Sequence, residues 1–307
     1  MTAKIILNPY SNRWKAKARW PEAEEALKAA SVDFELAVSE QPHHIIELAE
    51  QAARQGFSPI IAAGGDGTIG EVVNGLARAA KSDQDLLGPL GILPLGSAND
   101  LVDNLGLPRD LNQAAHVIAF GKTRLMDIGY VNGFYFANNS AIGLEPYITL
   151  AQQRITWIKG MLRYLVAAVR GIWDNPQWTA TIDWEDGHYE GPALLVSVGN
   201  APRTGGVFFM APHADPFDGK LTFVHGYRKT RGQIFRLLPR TMKPGQGSFV
   251  EMEGIHEQTT TWVKIHMDRP APAHVDGEIF SEGIQDLEYK ICPKRLQVLV
   301  GGDHLAS

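Results

Sequence analysis

The chain has 307 residues, of which 44% are hydrophobic and 21% are charged, and its formal net charge is −5. This length is sufficient for two domains with well-packed cores, and the acidic balance argues against a nucleic-acid partner. The single cysteine, Cys292, excludes an internal disulfide and a cysteine metal cluster. No apolar run has the length of a signal-peptide core or of a membrane span, so we expect a soluble, cytoplasmic protein.

The first third of the chain predicts strands that alternate with helices. Apolar runs predict strands over residues 4–7, 34–38, 60–63 and 89–95. Residues 10–20 are expected to form a polar, basic loop, with a helix that begins at Pro21 and a second helix over 45–55. This alternation predicts βαβ units and a mostly parallel sheet, whose ligands bind at the carboxyl ends of the strands.

A glycine-rich run connects the third predicted strand directly to a helix. Residues 64–68 read Gly-Gly-Asp-Gly-Thr, and apolar residues then recur at helical spacing from Ile69 onward. A strand, glycine turn and helix in this order direct backbone N–H groups toward an anion, most often a phosphate. The alternative, a glycine-rich turn that binds no ligand, stays open at this point.

The residues around this run narrow the choice of phosphate-containing ligand. Gly65, Gly67 and Gly70 also match the dinucleotide fingerprint, but the next apolar run ends in Gly96-Ser97 and not in an acidic residue that would hold a ribose. No lysine follows the glycines, as a Walker A loop would require. A phosphate loop with a built-in carboxylate, Asp66, therefore indicates a nucleotide bound with Mg²⁺.

A second turn of the same kind follows the fourth predicted strand. The run 95–100 reads Leu-Gly-Ser-Ala-Asn-Asp, and Asn99 or Asp100 is expected to cap a short helix. Asp100 taken alone could equally be structural. Together with Asp66 it would place two carboxylates at neighbouring strand ends, where they can hold Mg²⁺ against phosphate oxygens.

The pattern becomes β-rich after about Gly121. The dipeptide Asn132-Gly133 predicts a hairpin over 127–140, and one long helix follows. Further strands are predicted over 179–184, 193–199, 221–224, 261–267, 287–291 and 296–300, with Asp-Gly hairpin turns at 186–187, 218–219 and 276–277. We therefore expect an α/β domain over 1–125 and a β-rich domain over 126–307, with a final strand that can return to the first domain.

The two glycine loops together resemble those of the diacylglycerol kinase catalytic domain and of the related bacterial lipid kinases and sphingosine kinases. Further matches keep the order of that family: Asn8-Pro9, Asp127-Ile-Gly129, Asn132-Gly133, Asn138 with Gly143, Ala211-Pro212, Asp218-Gly219-Lys220-Leu221 and Val275-Asp-Gly-Glu278. The resemblance implies a Rossmann-like, phosphofructokinase-like three-layer nucleotide-binding domain and a β-sandwich lipid-substrate domain, with the nucleotide between them. The chain departs from the family pattern at Ser97, where threonine is usual, and at Asn12, where glycine is common.

The resemblance also implies an activity, the ATP- and Mg²⁺-dependent phosphorylation of a lipid hydroxyl, with diacylglycerol as the leading acceptor. The implied ATP contacts are Asn8, Ser39, Gly64, Gly65, Asp66, Gly67, Thr68, Ile69, Gly70 and Ser97. Asp66, Asp100 and Asp127 would order Mg²⁺ and the phosphates, and Glu278 would act as the general base. A second, structural Mg²⁺ would be held by Asp218 with backbone carbonyls of Asp215 and Lys220.

Two other functions stay open. A sphingoid base or NAD could be the acceptor, or the chain could be a lipid- or nucleotide-binding regulator without turnover. The four carboxylates implied for catalysis, Asp66, Asp100, Asp127 and Glu278, favour an active enzyme.

Two stretches are candidates for a membrane surface. A helical stripe of apolar residues runs from Ile155 to Val169, and a core helix is its alternative interpretation. Residues 228–243 carry six basic residues and no acidic one, interleaved with apolar residues. This composition favours transient peripheral contact with an anionic membrane, with a solvated basic face as the alternative. A homodimer is also compatible with the sequence.

Overall fold

The computed structural model describes residues 2–155 and 161–302, without the side chains of residues 161–164. The chain forms two compact units. Unit 1 contains the described residues up to Ile128, the segment Tyr135–Ala137 and the residues from Cys292 onward. Unit 2 contains the described residues of Gly129–Phe134 and Asn138–Ile291.

Unit 1 is a parallel α/β structure, as the alternating pattern predicted. Its elements are β1 (Ala3–Leu7), α1 (Lys15–Ala29), β2 (Phe34–Val38), α2 (His44–Arg54), β3 (Ile60–Gly64), α3 (Asp66–Ala79), β4 (Leu87–Pro94), α4 (Asp100–Asn104), α5 (Leu111–Phe120) and most of β5 (Lys122–Val131). Strands β4, β3, β1 and β2 lie side by side in that order, all parallel. The loops that follow them therefore emerge at one edge of the sheet.

Helices cover both faces of this sheet. Ala3, Ile5 and Leu7 of β1 are buried in a cluster with apolar residues of α1 and α5. Helices α2 and α3 pack closely on each other at Gly75. A Cβ atom added to Gly75 would lie only 2.4 Å from the carbonyl oxygen of Ile46. The result is the three-layer arrangement that the resemblance implied.

The start of α1 corrects the sequence analysis. The helix begins at Lys15, and Pro21 lies inside it, so the segment 15–20 is helical and not a loop. Ala16, Ala23 and Leu27 are fully buried at helical spacing. Burial of this face outweighs the single backbone hydrogen bond that an internal proline removes.

Unit 2 is built mainly from antiparallel strands. Its elements are β6 (Phe134–Phe136, shared with unit 1), β7 (Asn139–Gly143), α6 (Leu144–Arg154), α7 (Met161–Asp174), β8 (Trp178–Trp184), β9 (Gly187–Ala193), β10 (Leu195–Gly199), β11 (Arg203–Thr204), β12 (Phe208–Phe209), β13 (Leu221–Gly226), α8 (Arg231–Leu237), a 3₁₀ turn (Phe249–Glu251), β14 (Ile255–Thr260), β15 (Trp262–Val275) and β16 (Glu278–Val300).

Strand β15 belongs to two layers of unit 2. Its segment 263–267 pairs with β8, which pairs with β9, whereas 273–275 pairs with β7 in the order β14-β13-β10-β7-β15. Register shifts separate the two segments. Rings on β8 and β13 meet across the layers, since the Trp184 and Phe223 centroids are 5.4 Å apart. The predicted β-sandwich is confirmed.

Two predictions for the second half of the chain differ from the structure. The two strands predicted near the carboxyl terminus are one strand, β16, whose later residues belong to unit 1, where Leu296 and Val298 pair in parallel with β4. The predicted long helix is two helices, α6 and α7, and part of its apolar stripe lies outside the described residues. Ala167, Ala168 and Ile172 of α7 are buried, whereas Val169 is exposed.

None of the helices in the described part of the chain combines the length and apolar character that a membrane crossing requires.

Candidate functional site

The two glycine loops of unit 1 lie in direct backbone contact at the carboxyl ends of β3 and β4. A Cβ atom on Gly96 would lie 2.3 Å from the Cα atom of Gly65, and one on Gly65 would lie 3.1 Å from the Cα atom of Gly96. A Cβ atom on Gly64 would lie 2.2 Å from Thr68 Oγ1. A larger residue at Gly65 or Gly96 would separate the two loops, and one at Gly64 would clash with Thr68 within the first loop.

One hydrogen bond joins the carboxylate of the first loop to the helix of the second. Asp66 Oδ1 accepts the N–H of Leu101 at 2.9 Å, and Leu101 follows the buried Asp100 in the first turn of α4. The predicted cap at Asn99 is right in its position and wrong in its hydrogen bond. Asn99 occupies the N-cap position without a capping bond, because its φ of 55° turns its amide toward Gly96, to whose carbonyl it donates at 3.3 Å.

The loops fit a phosphorylated ligand that is accompanied by a cation. Helix α3 begins at Asp66 with Gly65 as N-cap, so no side chain of the N-cap residue covers its first N–H groups. The positive end of the helix dipole attracts phosphate, and Asp66 in the same turn would repel it unless a cation lay between them. Asn99 Oδ1 is a further buried acceptor, and it has no hydrogen-bond partner within the described chain.

The loop after β1 contacts the first glycine loop. Asn8 Nδ2 donates to Thr68 Oγ1 at 3.1 Å, and Ser11 Oγ lies 3.3 Å from the same oxygen. Residues 12–14, which are Asn, Arg and Trp, all have positive φ values of 51°, 55° and 70°. Non-glycine residues in this conformation each cost about 1–2 kcal/mol, so the loop is held in a strained shape beside the glycine loops.

The other predicted nucleotide contacts are divided between buried and exposed positions. Thr68, Ile69 and Gly70 are buried in the first turns of α3, and Ser97 is exposed. Ser39 is buried at the end of β2, and its Oγ donates to the carbonyl of Gln41 at 3.2 Å.

Asp127 lies inside unit 1. It is 1% exposed, and its Oδ1 accepts the N–H of Lys294 at 2.6 Å. This hydrogen bond joins β16 to β5.

Arg109 is a residue of this site that sequence reasoning did not identify. Its guanidinium donates to both carboxylate oxygens of Asp103, each at 2.7 Å, and to the carbonyl of Ala98 at 2.6 Å. Hydrogen bonding to Asp103, with the nearby negative charges of Asp100 and Asp66, raises the pKa of Arg109 above its ordinary value. Arg109 therefore braces the second glycine loop and places positive charge beside its carboxylates. The sequence offers a single hint of this role, which is that Arg109 follows the second glycine loop by a few residues.

Glu278 is exposed on unit 2, directly after a tight turn. Asp276 and Gly277 both have positive φ, and Glu278 pairs with Val275 across the turn, which confirms the hairpin predicted there. The side chain of the buried Asp276 holds the turn in place, because its Oδ1 accepts the N–H groups of Asn138 and Asn139 at 2.8 and 3.1 Å.

The Asp215–Lys220 segment forms a turn on the surface of unit 2. Asp215 Oδ1 accepts the N–H of Phe217 at 3.0 Å, and Asp218 Oδ1 accepts that of Lys220 at 2.8 Å. The predicted hairpin at Asp218-Gly219 is wrong, since this turn leads into β13 from an irregular segment and not from its paired strand.

Unit 2 also contains an apolar cavity, which has about 690 Å³ of space not filled by protein atoms, including its open mouth. The lining residues include Ile148, Ile172, Leu194, Phe208, Val224, Ile234, Leu237, Phe249 and Ile255. Glu145 is the one acidic residue among the described residues of the lining.

The outer faces of the helices that line this cavity are basic and aromatic. Trp173 on α7 is 66% exposed, and Arg231 on α8 lies over its ring, 5.4 Å from the centroid. Arg231 Nε also donates to the carbonyl of Trp173 at 2.8 Å. Arg236 is exposed on the same helix.

Two family models match the chain. The diacylglycerol kinase catalytic domain covers residues 2–131, and the YegS C-terminal NAD kinase beta sandwich-like domain covers residues 139–300. A YegS-like lipid kinase of Chromohalobacter salexigens is 30% identical over 89% of this chain and 86% of its own length. A diacylglycerol kinase of Bacillus subtilis is 28% identical over 90% and 89%.

Solved structures show the same fold at lower identity. A diacylglycerol kinase from Bacillus anthracis has a TM-score of 0.74 at 19% identity, covering 99% of this chain and 98% of that one. An NAD kinase from Archaeoglobus fulgidus in complex with ATP has a TM-score of 0.53 at 14% identity, covering 99% and 95%. Fold, family models and curated relatives agree, and the chain belongs to the family of diacylglycerol kinases and YegS-like lipid kinases.

Proposed function

We propose that the protein transfers the γ-phosphate of ATP to a hydroxyl group of a lipid, with diacylglycerol as the leading acceptor. The observation that carries this proposal is the pair of glycine loops in contact at Gly65 and Gly96, with Asp66 bonded to the first turn of α4. Phosphoryl transfer needs alignment and charge neutralisation more than covalent help from the protein, and such loops supply both.

The glycine loops would hold the nucleotide. The first-turn N–H groups of α3 would bind the phosphates, and Asn8, Ser39 and Ser97 would supply polar contacts around them. Mg²⁺ would bind the carboxylates of Asp66 and Asp100, with Asp127 ordering the same region, and it would neutralise charge on the transferred phosphoryl group. Arg109 keeps the second loop in place through Asp103.

Glu278 would accept the proton of the lipid hydroxyl. A carboxylate can take this proton as the bond to phosphorus forms, provided that it is held within hydrogen-bond reach. The fixed turn at Asp276 and Gly277 limits the positions that Glu278 can adopt, which favours it over carboxylates on longer loops.

A second Mg²⁺ would bind the Asp215–Lys220 turn, with Asp218 as the carboxylate ligand. Asp215, Asp218 and Lys220 are exposed, so water could complete a coordination shell around an ion bound there. Its role would be structural, since it would stabilise the segment that enters β13.

The cavity of unit 2 would receive an alkyl chain of the lipid. Its lining is almost entirely apolar, which suits a hydrocarbon chain and does not suit a polar acceptor such as NAD. The basic and aromatic surface formed by Trp173, Arg231 and Arg236 lies on the helices that line the cavity. It would bring the unit transiently to an anionic membrane, from which the lipid is taken.

Incubation of the purified protein with γ-labelled ATP, Mg²⁺ and a panel of lipids tests the proposal. We expect label in a lipid phosphate and no transfer when Mg²⁺ is chelated. Label in a nucleotide acceptor, or none at all, would contradict it.

A further inference from the structure

A buried polar pair, His274 and Glu145, lies next to the turn that carries Glu278. The side chains of His274 and Glu145 are 2% and 8% exposed, and His274 Nε2 lies 3.1 Å from Glu145 Oε1. His274 is near the end of β15, and Glu145 is in the first turn of α6. Ionisable side chains are rarely buried to this extent unless they are paired, so the other contacts of this pair indicate its role.

The contacts of His274 assign the proton on its imidazole ring. A backbone N–H can only donate, and the N–H of Gly277 meets His274 Nδ1 at 3.4 Å, so Nδ1 is the unprotonated acceptor of a long hydrogen bond. Nε2 then carries the ring proton and donates it to Glu145 Oε1. The ring of His274 therefore bridges helix α6 and the turn.

Asn139 joins the same carboxylate to the other residue of the turn. Its Nδ2 donates to Glu145 Oε1 at 3.1 Å. Its backbone N–H donates to Asp276 Oδ1 at 3.1 Å, and its carbonyl accepts the N–H of Asp276 at 2.8 Å. Glu145 is thus the common acceptor of two side chains, those of Asn139 and His274, that belong to residues holding the turn.

The N–H of Gly277 needs an acceptor from outside the strand pairing. Asp276 and Gly277 have φ values of 45° and 82°, as in a two-residue hairpin turn of type I′. In such a turn the hydrogen bond joins the flanking residues, here Val275 and Glu278, and it does not use the N–H of Gly277. His274 supplies this acceptor and so restrains the residue directly before Glu278.

We propose that His274, oriented by Glu145, is a positioning residue for Glu278. This role rests on the proposed function, in which Glu278 must lie within hydrogen-bond reach of the lipid hydroxyl. Small displacements of a reacting group are costly, so loss of the contact between His274 and the turn should lower kcat about 10-fold. KM for ATP and for lipid should change less than about twofold, because His274 is neither in the glycine loops nor among the described residues that line the cavity.

Two substitutions separate the two nitrogens of the ring. The side-chain oxygen in His274→Asn reaches the position of Nδ1, so it can accept the N–H of Gly277 but removes the donor to Glu145. The amide nitrogen in His274→Gln reaches the position of Nε2, so it can donate to Glu145 but removes the acceptor of the N–H of Gly277. We expect His274→Gln to lose about 10-fold in kcat and His274→Asn to stay within about threefold of wild type. The melting temperature should fall more for His274→Asn, because the buried carboxylate loses a donor.

A purely structural role of His274 predicts the opposite order. If His274 served only as a partner of the buried Glu145, His274→Asn would lose more turnover than His274→Gln, and this result would overturn the inference. His266→Gln makes the same chemical change at an exposed position of the same strand. It should leave kcat and the melting temperature as in wild type.

Amide hydrogen exchange at Gly277 separates a failure of this inference from a failure of the proposed function, since exchange needs no turnover. The N–H of Gly277 should exchange about fivefold or more faster in His274→Gln than in wild type and in His274→Asn, as expected for the loss of one hydrogen bond. Equal exchange in the three proteins would contradict the inference whatever their activity. The expected difference in exchange, found in a protein that phosphorylates no lipid, would contradict the kinase proposal and leave the hold of His274 on the turn standing.

Discussion

The glycine loops of unit 1 and the apolar cavity of unit 2 are the proposed sites of the two substrates, and they are constructed in opposite ways. The loops use backbone groups, and their close contact restricts Gly65 and Gly96 to glycine. The cavity uses side chains from helices and strands spread over more than 100 residues, with Glu145 as its acidic group. A backbone site thus depends on few positions, whereas an apolar cavity tolerates many substitutions of similar volume.

The largest effect in this comparison is expected at Asp66. Asp66→Asn keeps an oxygen that can accept the N–H of Leu101, so the contact between the loops should survive. It removes the charge that would bind Mg²⁺, and turnover should fall on the order of 10⁴-fold. Labelled lipid phosphate and the melting temperature are measured together. Turnover near wild type would show that the loops do not use this carboxylate.

Glu278 is the proposed catalytic group of unit 2. Glu278→Gln keeps the shape and removes the proton acceptor, so turnover should fall by roughly 10²- to 10⁴-fold. ATP affinity should be nearly unchanged, because the loops of unit 1 carry that binding. Initial rates and nucleotide titration on one preparation provide the check. If turnover stays within a few-fold of wild type, Asp276 becomes the next carboxylate to test.

Gly96→Ala tests the claim that the backbone contact builds the nucleotide site. The new Cβ atom would lie 2.3 Å from Gly65 Cα and 2.5 Å from Asn99 Oδ1, so the loops must separate. Stability should fall by about 1–3 kcal/mol, with a clear loss of ATP affinity. Gly232→Ala in α8 is the control, because no heavy atom lies within 4 Å of its added Cβ. An equal response of the two variants would argue against a special role of the contact.

The basic segment 228–243 of unit 2, which contains Arg236 and Arg240, is tested by charge reversal. Arg236→Glu with Arg240→Glu should weaken sedimentation with phosphatidylserine vesicles, at about 1 kcal/mol per basic residue removed. Added salt should weaken wild-type binding in the same direction. Reversal of the exposed Lys264 and Lys290 is the control with equal charge. Vesicle binding that does not change with added salt, or an equal loss of binding in the control variant, would show that this segment is an ordinary solvated surface.

The smallest effect is expected at the proposed structural metal. Asp218→Asn can still accept the N–H of Lys220, so the turn should persist without Mg²⁺. Wild type should gain about 1.4 kcal/mol of stability when Mg²⁺ is at ten times its Kd, and the variant should gain little. Melting curves with and without Mg²⁺ measure the difference. Identical responses of the two proteins would remove this site.

The sequence predicted those parts of the fold that depend on neighbouring residues. The glycine loops at 64–68 and 95–100 follow buried strands directly, and their place at one sheet edge follows from parallel strand order alone. The turns at Asn132-Gly133 and Asp276-Gly277 were also predictable, because left-handed backbone conformations favour these residues.

The parts that were missed depend on distant contacts. Pro21 suggested a helix start, yet the apolar face of α1 continues back to Ala16 because it packs on the sheet. Asn99 suggested a cap, yet Asp66 from the preceding loop takes the N–H of Leu101. Glu145 carried no motif at all. Its burial beside Asn139, His274 and the apolar lining becomes visible only in the folded chain.

Transfer of label from γ-labelled ATP to lipid, measured for wild type and Asp66→Asn side by side, tests the central claim most directly. The account predicts a labelled lipid phosphate that requires Mg²⁺ and is absent for the variant, while both proteins melt at similar temperatures. Equal transfer by the two folded proteins, or transfer to a nucleotide and not to a lipid, would contradict it.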